Sequence, residues 1–208
     1  HIIVVSCTGF LAPGLDVLLT RELGLSPAVQ RLGIGFMGCH GALVGLRTAR
    51  DLALAAPPSA PAHVLLVCVE LCSLHFQYST RPDHIVANAL FADGAAAAVI
   101  SAAPPDAPSI IPRALRAAAA TIIPDTLEVM GWTIGDHGFA MTLGESVPQH
   151  IRARLGPWVR DVLTDAGCRT EALADDFHWA IPPGGPRVLS AVGEALDLSA
   201  AALAPSRA

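Results

Sequence analysis

Gly33-Ile34-Gly35-Phe36-Met37-Gly38-Cys39-His40-Gly41-Ala42-Leu43-Val44-Gly45-Leu46 joins a short apolar run to an amphipathic stretch through a cysteine set among glycines. Residues 33–37 predict a strand. Residues 41–55 predict a helix with Ala42, Leu46, Ala49 and Ala53 on one face and Arg47, Arg50 and Asp51 on another. A strand that passes through a tight turn into a helix is the building unit of an α/β fold.

The alternation continues on both sides. Residues 2–6 predict a buried strand and residues 15–23 a helix, after the Pro13-Gly14 loop and before Gly24. Residues 64–71 read as a buried strand despite Glu70, 84–91 as a helix, and 95–101 as a strand. Residues 104–108 (Pro104, Pro105, Asp106, Ala107, Pro108) form the best linker, dividing a half at 1–103 from a half at 109–208. In the second half, residues 139–143 predict a strand and Ser146 a helix N-cap. Ile151, Leu155, Trp158, Val159, Val162 and Leu163 line one face of the helix that follows, with a kink or break at Gly156-Pro157. Residues 177–181 predict another strand, and Pro186 opens a last helix through Val188, Leu189, Val192, Ala195 and Leu196. Strands alternating with helices predict a buried, largely parallel sheet.

The 208 residues are 52% hydrophobic and 15% charged, ample to bury a core and low enough in charge to expect a partner chain over part of the surface. The net charge is -5 with no basic stripe, which argues against nucleic acid. No apolar run approaches the ~20 residues that span a bilayer. Five cysteines, Cys7, Cys39, Cys68, Cys72 and Cys168, are an odd count that favours free thiols in a reducing cytoplasm. Cys68 and Cys72 are the one close pair, a poor basis for a zinc site. The chain opens on His1 directly before a core strand, which reads as a fragment.

Cys39 is the strongest candidate for chemistry. Gly38 and Gly41 permit a tight turn and close approach of a substrate, and a helix N-terminus favours the thiolate. The alternative is a small buried apolar residue. Cys68 in mid-strand and Cys168 at a helix end read as structural.

Longer motifs carry a resemblance. Cys7-Thr8-Gly9-Phe10 with Pro13-Gly14-Leu15-Asp16, and Gly38-Cys39-His40-Gly41-Ala42 with Gly45-Leu46-Arg47, resemble the type III polyketide synthases, the chalcone and stilbene synthase family. So do the run from Ala89 to Ala97 through Phe91, and Trp179-Ala180-Ile181 followed by Pro183-Gly184-Gly185-Pro186. Val69-Glu70-Leu71-Cys72-Ser73-Leu74 is similar to the bacterial branch. The resemblance covers the whole chain but only the middle of a family member, so both ends are expected to be truncated. It implies a thiolase-like fold of two related α/β halves in αβαβα layers and a homodimer. It also implies an acyltransferase that condenses an acyl-CoA starter with malonyl-CoA by decarboxylation, without metal or prosthetic group. In the resemblance Cys39 matches the acyl-accepting cysteine, and Phe91 a gate between the CoA tunnel and the cavity. Cys7, Cys72, Trp132 and Met141 match cavity positions, where bulk tunes product size. Ala12 matches a position reaching the partner's cavity, and Arg187 lies near the tunnel mouth.

One position departs from the pattern. The family's histidine belongs in Trp-Ala-Ile-His-Pro-Gly-Gly-Pro, and that place holds Pro182, which offers no acid, base or N–H. The family's asparagine is expected beyond Ala208. His178, four residues upstream on the expected strand, lies about 13 Å away at ~3.3 Å per residue. His40 is explained by family position, and His75, near Cys72, is the best polar substitute. Losing such a group costs ~10²–10⁴ in rate, so little condensing activity is expected. The alternatives are a catalytically degenerate homologue acting as a binding or dimerisation module, and a hydrolase or ketoacyl-synthase-type enzyme on the same fold.

Overall fold

Ile2–Val5 (β1) is four consecutive branched residues, every one buried, as a strand covered on both faces requires. It is the centre of a sheet in a computed structural model that describes residues 1–102, 113–168, 170 and 177–207. The described chain forms two compact units, His1–Phe76 with Ala92–Ala118, and Gln77–Phe91 with Ala119–Ala208. The 104–108 linker and the expected boundaries at 103 and 109 lie outside the described residues.

In the first unit β1 pairs in parallel with β2 (Arg31–Ile34) on one side and β3 (His63–Glu70) on the other. β4 (Gly94–Ser101) pairs antiparallel with β3, giving the order β2-β1-β3-β4. The sheet is therefore largely parallel, as expected. Its burial is not uniform, because β4 is exposed from Gly94 to Val99 and buries little beyond Ile100. The expected strand 33–37 is shifted: β2 ends at Ile34, and Phe36 at φ 58 and Gly38 at φ 63 turn the chain instead. α1 (Leu15–Glu22) stops at Leu23, and Gly24 follows at φ 62.

α2 (Gly41–Ala55) lies on the sheet through Gly41, Gly45, Ala49 and Ala53, one residue per turn. Ile3, Val5, Val64 and Leu66 meet it, and Ala49 and Ala53 complete this core. Burying each branched side chain contributes ~1.5–3 kcal/mol. A Cβ on Gly45 would stand 2.7 Å from Leu66 Cδ1 and 3.0 Å from Val5 Cγ2, and one on Gly41 would stand 2.9 Å from Val5 Cγ1. The helix sits this close because those Cβ atoms are missing.

The second unit holds α3 (Pro82–Leu90) and the antiparallel hairpin of β5 (Met130–Gly135) and β6 (Gly138–Leu143). It also holds α4 (Val147–Asp165), α5 (Pro186–Leu196) and the short α6 (Ala200–Leu203). Two expectations are corrected here, and a third, Ser146 as N-cap, holds in position only. α4 runs unbroken through Pro157: packing on α5 outweighs the missing N–H, and the crossing is so close that a Cβ on Gly156 would stand 2.5 Å from the Ala195 carbonyl oxygen. Ser146 occupies the N-cap position, but its side chain makes no capping hydrogen bond. Residues 177–181 form no strand; Phe177, Trp179 and Ile181 instead pack beside Val192 and Leu196, and the Ile181 N–H donates to Ser206 Oγ at 2.9 Å. Among the described residues no helix is long and apolar enough to cross a membrane.

Gly45→Val should lower the unfolding free energy by about 1–3 kcal/mol, the usual cost of overpacking, measured by urea denaturation. Gly45→Ala should be near neutral, because a gain of ~0.8–1 kcal/mol in helix propensity opposes the displacement of Leu66.

Candidate functional site

The turn between β2 and α2 presents Cys39 at the surface. After Ile34 the chain takes two left-handed steps, at Phe36 and Gly38, and closes a 3-10 turn over Gly38–His40 before α2 begins. A phenylalanine at φ 58 costs on the order of 1–3 kcal/mol and is held only by its surroundings. Its ring packs at 5.9 Å on Phe10 from the loop after β1. Cys39 is exposed, and His40 is the N-cap residue of α2 without a capping bond from its side chain.

The ionisation of Cys39 runs against the sequence expectation. Surrounding protein strips water from the thiol and pushes its pKa up, and the nearby Cys7 and Glu70 push the same way. Its own backbone N–H favours the thiolate and does not offset them. The helix start is thus outweighed by desolvation and negative neighbours, so the thiol is harder to ionise than a free cysteine.

Glu70 organises the ground beside it. Its carboxylate accepts the Cys7 N–H at 3.0 Å, the Thr8 N–H at 3.0 Å and the Thr8 hydroxyl. The same Thr8 oxygen accepts the Leu71 N–H at 2.7 Å, and a His75 ring nitrogen lies 2.8 Å from the Thr8 carbonyl. Thr8 is 2% exposed. This clasp binds the exit of β1 to the exit of β3. Beyond it, Asp93 accepts from the Ser73 N–H at 2.8 Å and the Ser73 hydroxyl at 2.7 Å, which lowers the Asp93 pKa and fixes the 3-10 turn Cys72–His75. Burial first, then Glu70, Asp93 and Cys39, raise the Cys72 thiol. Cys7, Cys39 and Cys72 therefore gather in one unit around Glu70. The offer of His75 as a polar substitute is weakened, since one ring nitrogen is committed to the Thr8 carbonyl.

The second unit brings together Phe91, Trp132 and Met141. Phe91 caps α3, with its N–H on the Ala87 carbonyl, and its ring lies 6.5 Å from that of Trp132. Trp132 stacks edge-on at 5.9 Å against Phe139 and pairs across the hairpin with Met141, which is 5% exposed. Asn88 on α3 accepts the Gln77 N–H at 3.2 Å and donates to the Gln77 carbonyl at 2.8 Å, while the Gln77 side chain donates to the Phe139 carbonyl at 3.1 Å. That latch fixes α3, and so Phe91, against β6. Pro182 is exposed, and its carbonyl accepts the Gly184 N–H at 2.9 Å. His178 lies on the non-strand segment, so strand spacing does not measure its distance from residue 182. Ala12 and Arg187 are exposed.

Sequence reasoning missed Thr8, Asp93, Gln77, Asn88 and Phe139, and took Glu70 as an interruption. An acid inside an otherwise apolar strand was the signal that it has partners to satisfy.

Known proteins resemble the whole chain. The N-terminal domain profile of the chalcone and stilbene synthases matches residues 1–104, and the C-terminal domain profile matches residues 114–208. Type III polyketide synthase C of Arabidopsis thaliana is 37% identical over 209 residues, covering 100% of this chain and 53% of the relative. The alpha-pyrone synthesis polyketide synthase-like Pks18 of Mycobacterium tuberculosis is 33% identical, over 99% of this chain and 51% of its own. The crystal structure of PKS-I from the brown alga Ectocarpus siliculosus superposes with a TM-score of 0.87 at 34% identity, over 99% of this chain and 52% of that one. The 1,3,6,8-tetrahydroxynaphthalene synthase of Streptomyces coelicolor superposes with a TM-score of 0.83 at 28% identity, over 97% of this chain and 55% of that one. The fold is thiolase-like, and the chain spans about half the length of the curated relatives it matches.

Alkylation of Cys39 by iodoacetamide should show a pH midpoint above that of an ordinary free thiol. Glu70→Gln should move that midpoint down only slightly, since burial is the larger cause. The same substitution should cost about 1–3 kcal/mol of stability by breaking the clasp, read by urea denaturation.

Proposed function

The chain belongs to the chalcone and stilbene synthase family, and from that premise we propose that the protein is an acyltransferase of the type III polyketide synthase class. Cys39 exchanges its proton for the acyl group of a CoA thioester, releasing CoA. Malonyl-CoA then loses carbon dioxide, and the resulting enolate attacks the Cys39 thioester carbonyl and displaces the thiolate. The observation that carries this reading is the exposed Cys39 on its strained turn at the foot of α2. Cys7 and Cys72 serve as cavity wall beside it. Phe91 is the gate, held by the Asn88–Gln77 latch, and Trp132 with Met141 forms the wall whose bulk limits chain length. No metal or prosthetic group takes part.

A second copy of the chain is the proposed partner. Phe10, Leu11 and Phe36, 71%, 58% and 66% exposed, form an apolar patch next to Ala12 that a homodimer would cover. Five free cysteines suit the reducing cytoplasm.

Pro182 and the raised Cys39 thiol are the observations on the side of a degenerate binding module. The exposed Cys39 turn, the clasp and the aromatic wall weigh toward the enzyme, with a weakened decarboxylation step.

Carbon dioxide release from malonyl-CoA by the full-length protein should be slow and should rise by about 10²–10³ in Pro182→His, the worth of one oxyanion donor. Cys39→Ala in the Pro182→His background should abolish polyketide formation. Absence of any condensation in the Pro182→His protein would favour the binding module. Trp132→Gly in that background should lengthen the product, read by mass spectrometry.

A further inference from the structure

Three thiols stand at the exits of three neighbouring parallel strands: Cys7 after β1, Cys39 after β2 and Cys72 after β3. All three are free. They are not equivalent. The main chain of Cys7 is pinned by Glu70, and its sulfur is aimed at the nucleophile turn, 3.9 Å from the Gly38 carbonyl oxygen. That carbonyl belongs to the peptide unit carrying Cys39, and the three bonds from its oxygen to the Cys39 Cα total about 4 Å. A disulfide asks for Cα atoms ~4.4–6.8 Å apart, and the Cys7 sulfur already lies against the chain it would join. Cys72 sits on the 3-10 turn fixed by Asp93, with no such contact to the 38–39 peptide among the described residues.

We infer that Cys7 and Cys39 form a reversible disulfide under peroxide, a modification site that closes the nucleophile while oxidant is present. The exposed Cys39 meets the oxidant first. The small thiolate fraction that its raised pKa leaves attacks one peroxide oxygen, the O–O bond breaks, and hydroxide leaves and takes up the proton the thiol gave, as water, so Cys39 becomes a sulfenic acid. The sulfur of Cys7 then attacks the Cys39 sulfur. The S–S bond forms, the S–O bond breaks, and the departing hydroxide takes the Cys7 proton as a second water. The two thiols have given two electrons to the peroxide, and a dithiol reductant restores both. The bridge takes Cys39 out of reach of further, irreversible oxidation.

The test is peptide mapping of the reduced protein after hydrogen peroxide, with and without dithiothreitol. The expected result is a cross-linked peptide pair containing Cys7 and Cys39, two hydrogens lighter than the free peptides and lost on reduction. Cys39 in that sample should be protected from iodoacetamide. Cys72→Ser should keep the cross-link, and Cys7→Ser should lose it and carry added oxygen on Cys39. Stepwise oxygen addition to Cys39 without a cross-link in the unmutated protein would overturn the inference, and so would a Cys39–Cys72 pair. Both readouts come from the unmutated protein, so a variant that fails to fold does not affect the decision. Neither depends on turnover, so this test and the carbon dioxide assay fail separately.

Discussion

The first unit depends on how near α2 approaches the sheet. Gly41 and Gly45 leave space that Val5 and Leu66 fill, and Ala49 and Ala53 extend the contact along the same face. A branched or bulkier side chain at Gly41 or Gly45 would push against Val5 and Leu66 and lift the helix. Lifting the helix would move its start, and the start is where the chain emerges from the 38–40 turn. The position of Cys39 is therefore a consequence of core packing several residues away. The strained turn itself, with Phe36 and Gly38 in left-handed backbone, is the price of reaching that helix from the end of β2 in so few residues.

Electrostatics at the same place works by containment. A carboxylate at the end of β3 would be costly to bury alone, and Glu70 resolves this by accepting from the backbone of Cys7 and Thr8 and from the Thr8 hydroxyl. The loop after β1 is thereby fixed, and a negative charge stands beside the thiols. That charge and the loss of water around the sulfur to surrounding protein keep Cys39 protonated more firmly than a helix start would predict. A thiol in such surroundings needs a base or a cation delivered from elsewhere to become a reactive nucleophile.

The sequence made the first unit readable because its signals are local. Runs at 2–6 and 64–71 are strands and 41–55 is a helix; all are seen, although the face that packs is Gly41, Gly45, Ala49 and Ala53 where Ala42 and Leu46 are expected with the two alanines, and β2 is displaced because glycine and phenylalanine at 35–38 serve the turn. The second unit was less legible. The β5 strand, Met130–Gly135, alternates Met130, Trp132 and Ile134 with Gly131, Thr133 and Gly135, a signal that sequence reasoning passed over because two of its six residues are glycine; its pairing with β6 reveals it. Pro157 looked like a helix breaker because the sequence displays α5 but not its packing on α4, which keeps α4 intact. Residues 177–181 have strand composition yet pack as an extended cover on α5. The site followed the same rule. Cys39 was visible from its neighbours, whereas Thr8, Asp93 and the Gln77–Asn88 latch matter through partners distant in sequence.

The same reasoning explains how proline can stand at 182. Among the described residues the main chain of 182 bonds through its carbonyl, to the Gly184 N–H, and proline keeps its carbonyl. The turn into Gly185, at φ 100, and the start of α5 at Pro186 ask nothing of an N–H or a side chain at 182. Residue 182 is exposed and its neighbours supply the turn, so the fold makes no demand on its side chain. The turn into α5 therefore rests on the main chain of 182 and on the glycines after it, and not on the side chain at 182.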